Sequence, residues 1–398
     1  MGRGRIRFVK PRAPLIAALA LFLSRYAGGA AELSLQSPLD YQVFQRAPGG
    51  KGAINVRGHT EAEAPQWQYR VAGKSWNGVA LDETWRDFPA PPQNGAFDFA
   101  ITAPAGGWYR LEVRAAKDGQ SLLDAAVEHV GVGEVFIVAG QSNAGNYGAG
   151  KQQPRSGNVS SFDGKNWVIA NDPQRGAGGE GGSFMPAFGD GMAERFRVPI
   201  GLVPVAAGGT SVRAWLPAGV EFARQTTKGV GVRPTANGQW ESTGALFDKL
   251  AERLAALGPG GCRAVLWHQG ESDAGQARGG APADQQITGA QYAAFMETLI
   301  RASREHARWN VPWFTAQATY HSETDSADDE FRAAQKAAWD KGLAMPGPDT
   351  DALRGELRAG VHFTAQGLQK HGALWVEKVA PWLEAQLAAE QAAGSRSR

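Results

Sequence analysis

The 398-residue chain has one cysteine, Cys262, so no disulfide can close within it and a structural metal site built on several thiolates is excluded. It also lacks a charge excess. Forty-one Lys and Arg face 39 Asp and Glu, a formal charge of +2, and the basic residues are scattered except at the extreme N-terminus, which argues against nucleic acid as a partner. Long apolar runs are missing too. Residues 13–23 form an apolar stretch, but a spanning helix needs about 20 such residues. Arg3, Arg5, Lys10 and Arg12 precede that stretch and the small residues Gly28 and Ala30 follow it, the layout of a secretory signal over residues 1–31. The mature chain is therefore expected to be exported, periplasmic or secreted, without stable membrane insertion. An exported chain without disulfides suits a periplasm at least as well as the medium.

At 43% hydrophobic and 20% charged residues, the remainder is long enough to bury a full core, as one large domain with a smaller one. Thirteen tryptophans beside seven tyrosines can line a groove for sugars or fill the core, and the sequence leaves both open.

Residues 32–130 have strand character. The segments 53–57, 67–71, 97–101 and 108–113 alternate apolar and polar side chains between Pro- and Gly-rich turns, which predicts a small antiparallel β-sandwich of immunoglobulin-like kind. Such a module can bind a glycan or brace its neighbour. From Val135 the pattern changes. Short apolar stretches at 135–139, 201–207, 264–267 and 311–316 read as parallel strands, and 186–196, 245–257, 292–307, 331–343 and 367–389 have helical spacing. Strand and helix in alternation predict an α/β domain over 131–390 with a parallel sheet covered on both faces. The Gly- and Pro-rich stretches 173–183 and 217–239 are expected to be lids or walls, and 391–398 a flexible tail.

Four polar segments fall where strands end, the edge at which ligands collect in such sheets. Gly140-Gln-Ser-Asn places Ser142 as a nucleophile with its own N–H toward a developing oxyanion, although this is not the Gly-x-Ser-x-Gly elbow. Gly208-Gly-Thr lets backbone amides approach a ligand, with Gly209 the candidate donor. Trp267-His-Gln-Gly-Glu-Ser-Asp supplies Gln269, whose amide can donate to an oxyanion, and Glu271, which can orient a histidine. A metal held by His268, Glu271 and Asp273 lacks any dense ligand spacing to support it. Gly360-Val-His-Phe-Thr supplies His362, whose imidazole titrates where a general base must; His268, His321 and His371 are rivals.

Together these segments resemble the SGNH hydrolase superfamily, specifically its sialate O-acetylesterase-like and acetylxylan-esterase-like carbohydrate esterases, over roughly residues 131–385. Asp172-Pro173, Gly182-Ser183 and Pro186 are similar to the substrate-side loop of that group. The resemblance implies a flavodoxin-like three-layer α/β/α fold, with Ser142 as nucleophile, His362 as base, and oxyanion donors from the Ser142 amide, Gly209 and Gln269. It further implies removal of O-acetyl groups from a carbohydrate through an acyl-enzyme, with no cofactor. One departure stands out: Ala359 occupies the position, three before the histidine, where the family carries an aspartate. Asp351, Asp349, Glu271 and Asp273 are the substitutes within the sequence, or the imidazole bonds to a backbone carbonyl. Competing functions are a carbohydrate O-acyltransferase, a glycan-binding protein with impaired catalysis, and a long-chain esterase, for which the polar loops offer no greasy channel.

Overall fold

The computed structural model describes residues 32–396 apart from 76, 224–229 and 277–279, so the signal expected at 1–31 lies outside the described residues. The chain opens with eight strands: β1 (Leu33–Ser37), β2 (Gln42–Gln45), β3 (Lys51–Thr60), β4 (Gln66–Ala72), β5 (Arg86–Asp87), β6 (Ala96–Pro104), β7 (Gly106–Lys117) and β8 (Gln120–Gly140). Strand β3 buries every second residue without exception, as a strand with one wet and one dry face must. Antiparallel β1-β3-β6 forms one sheet, and antiparallel β4-β7-β8 belongs to another. Ile54, Val56, Phe97 and Ile101 of the first share a core with Trp67, Leu111, Val113 and Val127 of the second.

Strand β8 is the joint of the molecule. Its first half pairs with β7, while its second half is a central strand of a mixed sheet ordered β10-β9-β11-β8-β15-β16-β17. The division expected between 130 and 131 therefore falls inside one continuous strand. The added strands are β9 (Val159–Phe162), β10 (Trp167–Ile169), β11 (Ile200–Ala206), β15 (Ala264–His268), β16 (Trp313–Gln317) and β17 (Met345–Asp349). All neighbours from β9 to β17 run parallel, and only β10 is antiparallel. Strand β17 was not expected, since its Met-Pro-Gly-Pro-Asp reads as a turn. It stands at the sheet edge, where proline's missing N–H leaves no central ladder bond unmade.

Alternate residues of β8 feed two cores. Val135 and Ile137 pack with α2 (Ala245–Leu257), α4 (Gly289–Ala307) and α5 (Asp329–Asp340) on one face; Phe136 and Val138 pack with α1 (Met185–Phe196) and α6 (Ala365–Arg396) on the other. Helix α4 begins three residues before its expected start because Thr288 and Gln291 form a reciprocal capping box. Helix α6 runs on to Arg396, so 391–396 of the segment expected as a tail are helical, and 397–398 lie outside the described residues. Trp215, Trp267, Trp313 and Trp375 are fully buried, so these four serve packing. Within 217–239, β12 (Glu221–Phe222) and β13 (Val232–Pro234) flank β14 (Trp240–Ser242), which follows directly, in a small sheet. Between β15 and β16 lies the one-turn helix α3 (Glu271–Ala274), and β18 (Arg358–Ala359) and β19 (His362–Phe363) form a short hairpin before α6. Among the described residues no helix is long and apolar enough to cross a membrane.

Candidate active site

Strands β11, β8 and β15 end level with one another, since Gly140 pairs with both Ala206 and His268. Gly140 has φ +134°, and a Cβ there would stand 2.0 Å from the His268 carbonyl oxygen, so no other residue can end the strand this way. The chain then enters a 3-10 turn, Ser142–Ala144, all of it buried.

The residues flanking Ser142 bind its turn to two distant segments. Gln141 Oε1 accepts from the Ser272 amide at 3.1 Å. Asn143 Nδ2 donates to Glu271 Oε1 at 2.8 Å and to the Val361 carbonyl at 3.1 Å. A few residues on, the Ala149 amide donates to the Phe363 carbonyl at 2.8 Å. His362 therefore sits on a strand whose two neighbouring carbonyls are both held by the Ser142 loop. Its half-buried ring lies against Tyr147, centroids 5.6 Å apart and planes inclined by 30°. Among the described residues neither Ser142 Oγ nor a His362 ring nitrogen makes a hydrogen bond.

The acids separate clearly. Glu271 is 4% exposed; its Oε1 takes Asn143 and, at 3.0 Å, His268 Nε2, while its buried Oε2 has no hydrogen-bond partner among the described residues. Burial opposes ionisation of Glu271, but the charge and hydrogen bond of His268 and the Asn143 amide hold its carboxyl below the ordinary value. That charge also acts on His362. Burial drives the His362 pKa below 6.5, Glu271 opposes the shift, and Arg358 adds to it.

Asp351 is not placed to orient His362. Its Oδ1 accepts from the amides of Thr319 and Tyr320 at 2.7 and 2.9 Å, and its Oδ2 from Thr319 Oγ1 and Arg332, both at 2.8 Å or less. The cause is β17, which delivers residue 351 beside the end of β16 instead of leaving it in a loop free to fold back. Asp349 is likewise clamped by Arg332 through both oxygens. Asp273 accepts from Ser211 Oγ, the Val212 amide and Gln269. Burial raises its pKa, with Arg213 and these donors opposing.

Gln269 also departs from its expected role. Its Nε2 donates to Asp273 Oδ2 at 2.7 Å and to the Thr210 carbonyl at 3.1 Å, and its Oε1 accepts from Tyr292 Oη at 3.0 Å. Both amide hydrogens are spent inside a fully buried network, so Gln269 ties the second and third segments together instead of facing a substrate. Gly209 is exposed, and glycine serves it through φ +68°, since a Cβ would meet nothing within 4 Å. The close approach belongs to Gly208, where a Cβ would stand 2.4 Å from Tyr147 Cζ. Among the described residues the amides of Ser142 and Gly209 donate to no other group.

The rival histidines have structural partners. His268 and His371 are fully buried and face each other at 3.1 Å, and His321 Nε2 meets the Glu271 carbonyl at 2.7 Å. His268 meets Glu271, but among the described residues no group of three or more His, Cys, Asp or Glu is arranged to hold a metal. Tyr147 escaped the sequence reading. Its one signal is an aromatic side chain inside a Gly-rich loop five residues beyond Ser142.

The model of the family of carbohydrate esterases described as sialic acid-specific acetylesterase matches residues 132–380. The chain belongs to this family. The span of this carbohydrate esterase match takes in all four motif segments and begins within β8, as the strand enters the central sheet. Among solved structures, a carbohydrate acetylesterase from Xanthomonas citri is similar at 17% identity and TM-score 0.50, covering 84% of this chain and 71% of its own. A protein from Arabidopsis thaliana follows at 19% identity and TM-score 0.40, covering 61% and 95%. An acetylxylan esterase from Geobacillus stearothermophilus matches at 12% identity and TM-score 0.39, covering 62% and 94%. Among curated proteins none matches.

Proposed function

We propose that this carbohydrate esterase removes O-acetyl groups from a glycan through an acyl-enzyme on Ser142. The observation that carries the reading is the pair of hydrogen bonds, from Asn143 to Val361 and from Ala149 to Phe363, that hold His362 against the serine turn at the sheet's carboxyl edge. His362 takes the Ser142 proton as Oγ attacks the acetyl carbonyl carbon. The oxyanion is stabilised by the Ser142 and Gly209 amides, donors that need no reorganisation. The C–O bond to the sugar breaks as imidazolium returns the proton to the leaving oxygen. Water, deprotonated by the same histidine, then attacks the acyl carbon, and the bond to Ser142 Oγ breaks as imidazolium returns the proton to Oγ, releasing acetate. Glu271 is the acid that steadies the imidazolium, its charge acting on His362 and its Oε2 having no partner among the described residues.

We read the two cores about the central sheet as the three layers of a flavodoxin-like SGNH domain, and the N-terminal sheets as an accessory β-sandwich. The leader pattern in residues 1–31 supports export. The test is acetate release from acetylated sialic acid, xylan, peptidoglycan and pectin by the parent and by Ser142→Ala. Release from at least one substrate, abolished in the variant, is expected. Turnover retained by Ser142→Ala sinks the assignment.

A further inference from the structure

His362 carries the base role without the usual support at residue 359, and its ring nitrogens have no hydrogen bond among the described residues. What the ring does touch is Tyr147. Tyr147 is itself seated by three glycines from two other stretches of chain. A Cβ at Gly208 would stand 2.4 Å from its Cζ and hydroxyl, one at Gly179 would stand 2.9 Å from its Cδ2, and one at Gly178 would stand 3.0 Å from its hydroxyl. The loop 173–183, expected as a wall, is thus the backing of this side chain. Gly178 is fixed in turn, its amide donating to the Ala206 carbonyl and its carbonyl accepting from the Asn146 amide, both at 2.9 Å. Glycines thus back the ring on one side and the imidazole borders it on another, while the side chain as a whole stays 36% exposed.

We propose that Tyr147 is a positioning residue for His362, its aromatic ring fixing the plane and place of the imidazole beside Ser142. The inference rests on the Ser142–His362 esterase reading. The Tyr147 ring, and not its hydroxyl, is the active part, because the contact with His362 is between rings. Without it the imidazole can turn about its side-chain bonds, and the fraction of complexes poised for proton transfer falls. The effect belongs in kcat, since an imidazole out of place leaves ground-state substrate binding alone.

The experiment compares Tyr147→Ala, Tyr147→Phe and Ser142→Ala on a small aryl acetate, which has no sugar ring to stack, and on an acetylated sugar. Expected is a drop in kcat of about tenfold or more for Tyr147→Ala on both substrates, with KM within about twofold, and rescue by Tyr147→Phe. A KM increase confined to the sugar, with kcat retained, overturns the proposal and makes Tyr147 a substrate platform. Equal losses in Tyr147→Ala and Tyr147→Phe, or no loss in either, overturn it as well. Thermal midpoints of both variants separate a lost position from a lost fold: a kcat drop in Tyr147→Ala that tracks a collapse of its midpoint counts against positioning. Turnover in Ser142→Ala marks the failure of the esterase reading itself, a different result from any of these.

Discussion

Ala359 and His362 are direct partners across the antiparallel hairpin β18–β19. Cross-strand partners project to the same face with Cβ atoms about 5 Å apart. A carboxylate at 359 therefore falls beside the imidazole without any change of backbone, and the exposed position tolerates it. Ala359→Asp is expected to favour imidazolium and to move the acid limb of the kcat/KM profile up by about one pH unit. An unmoved limb removes residue 359 from the neighbourhood of the reacting imidazole.

In the parent protein the same limb has a defined direction. Burial and Arg358 hold the His362 pKa below its ordinary 6.5, against the pull of Glu271. A general base works in its neutral form, so activity is full above that pKa and is lost as pH falls through it. The kcat/KM profile of the free enzyme, read as its acid midpoint, is expected below pH 6.5. A midpoint above 7 is incompatible with the half-buried ring acting as the base.

Gln269 separates two roles that give opposite readouts. As a buried hub it serves Asp273, Thr210 and Tyr292. Gln269→Leu strands those groups in the interior, and a loss of about 3 kcal/mol in urea unfolding is expected, since each unpaired buried polar group costs about 1–3 kcal/mol. Activity of the folded protein falls by less than about tenfold. An oxyanion donor gives the reverse, roughly 100-fold or more in kcat with stability intact.

The elements most legible in sequence were those with strong periodicity. The apolar runs of β8, β11 and β15 and the alternation of β3 mark their own places, as does the spacing of α2. The turn that carries Ser142 was legible because an apolar strand runs straight into small polar residues. What stayed hidden depends on partners distant in the chain. Strand β17 looks like a turn until its place at the sheet edge removes the penalty for Pro346 and Pro348. Gln269 looks like a donor until Tyr292 and Asp273 are seen to claim it. Asp351, eleven residues from His362, reads as a substitute acid in sequence because β17, which sets it beside the end of β16, reads there as a turn.

Glu271 and Asp351 now form the decisive pair. Both are buried acids near the histidine hairpin, at 4% and 2% exposure, yet among the described residues one has an unpartnered oxygen and the other has none to spare. Glu271→Gln keeps the shape and removes the charge that acts on His362. A kcat drop on the order of 100-fold to 10⁴-fold is expected, the range for losing the charge behind a catalytic histidine. Asp351→Asn loosens the Thr319–Arg332 clamp, and breaking one partner of a buried ion pair costs about 3 kcal/mol of stability or more. Its kcat, measured well below the unfolding transition, is expected within about threefold of the parent, because the residue touches no group of the proton path. Near-UV circular dichroism of both variants controls for repacking. If Asp351→Asn loses the rate while Glu271→Gln keeps it, the acid behind His362 has been assigned to the wrong carboxylate, and the hairpin must move on substrate binding to reach the other.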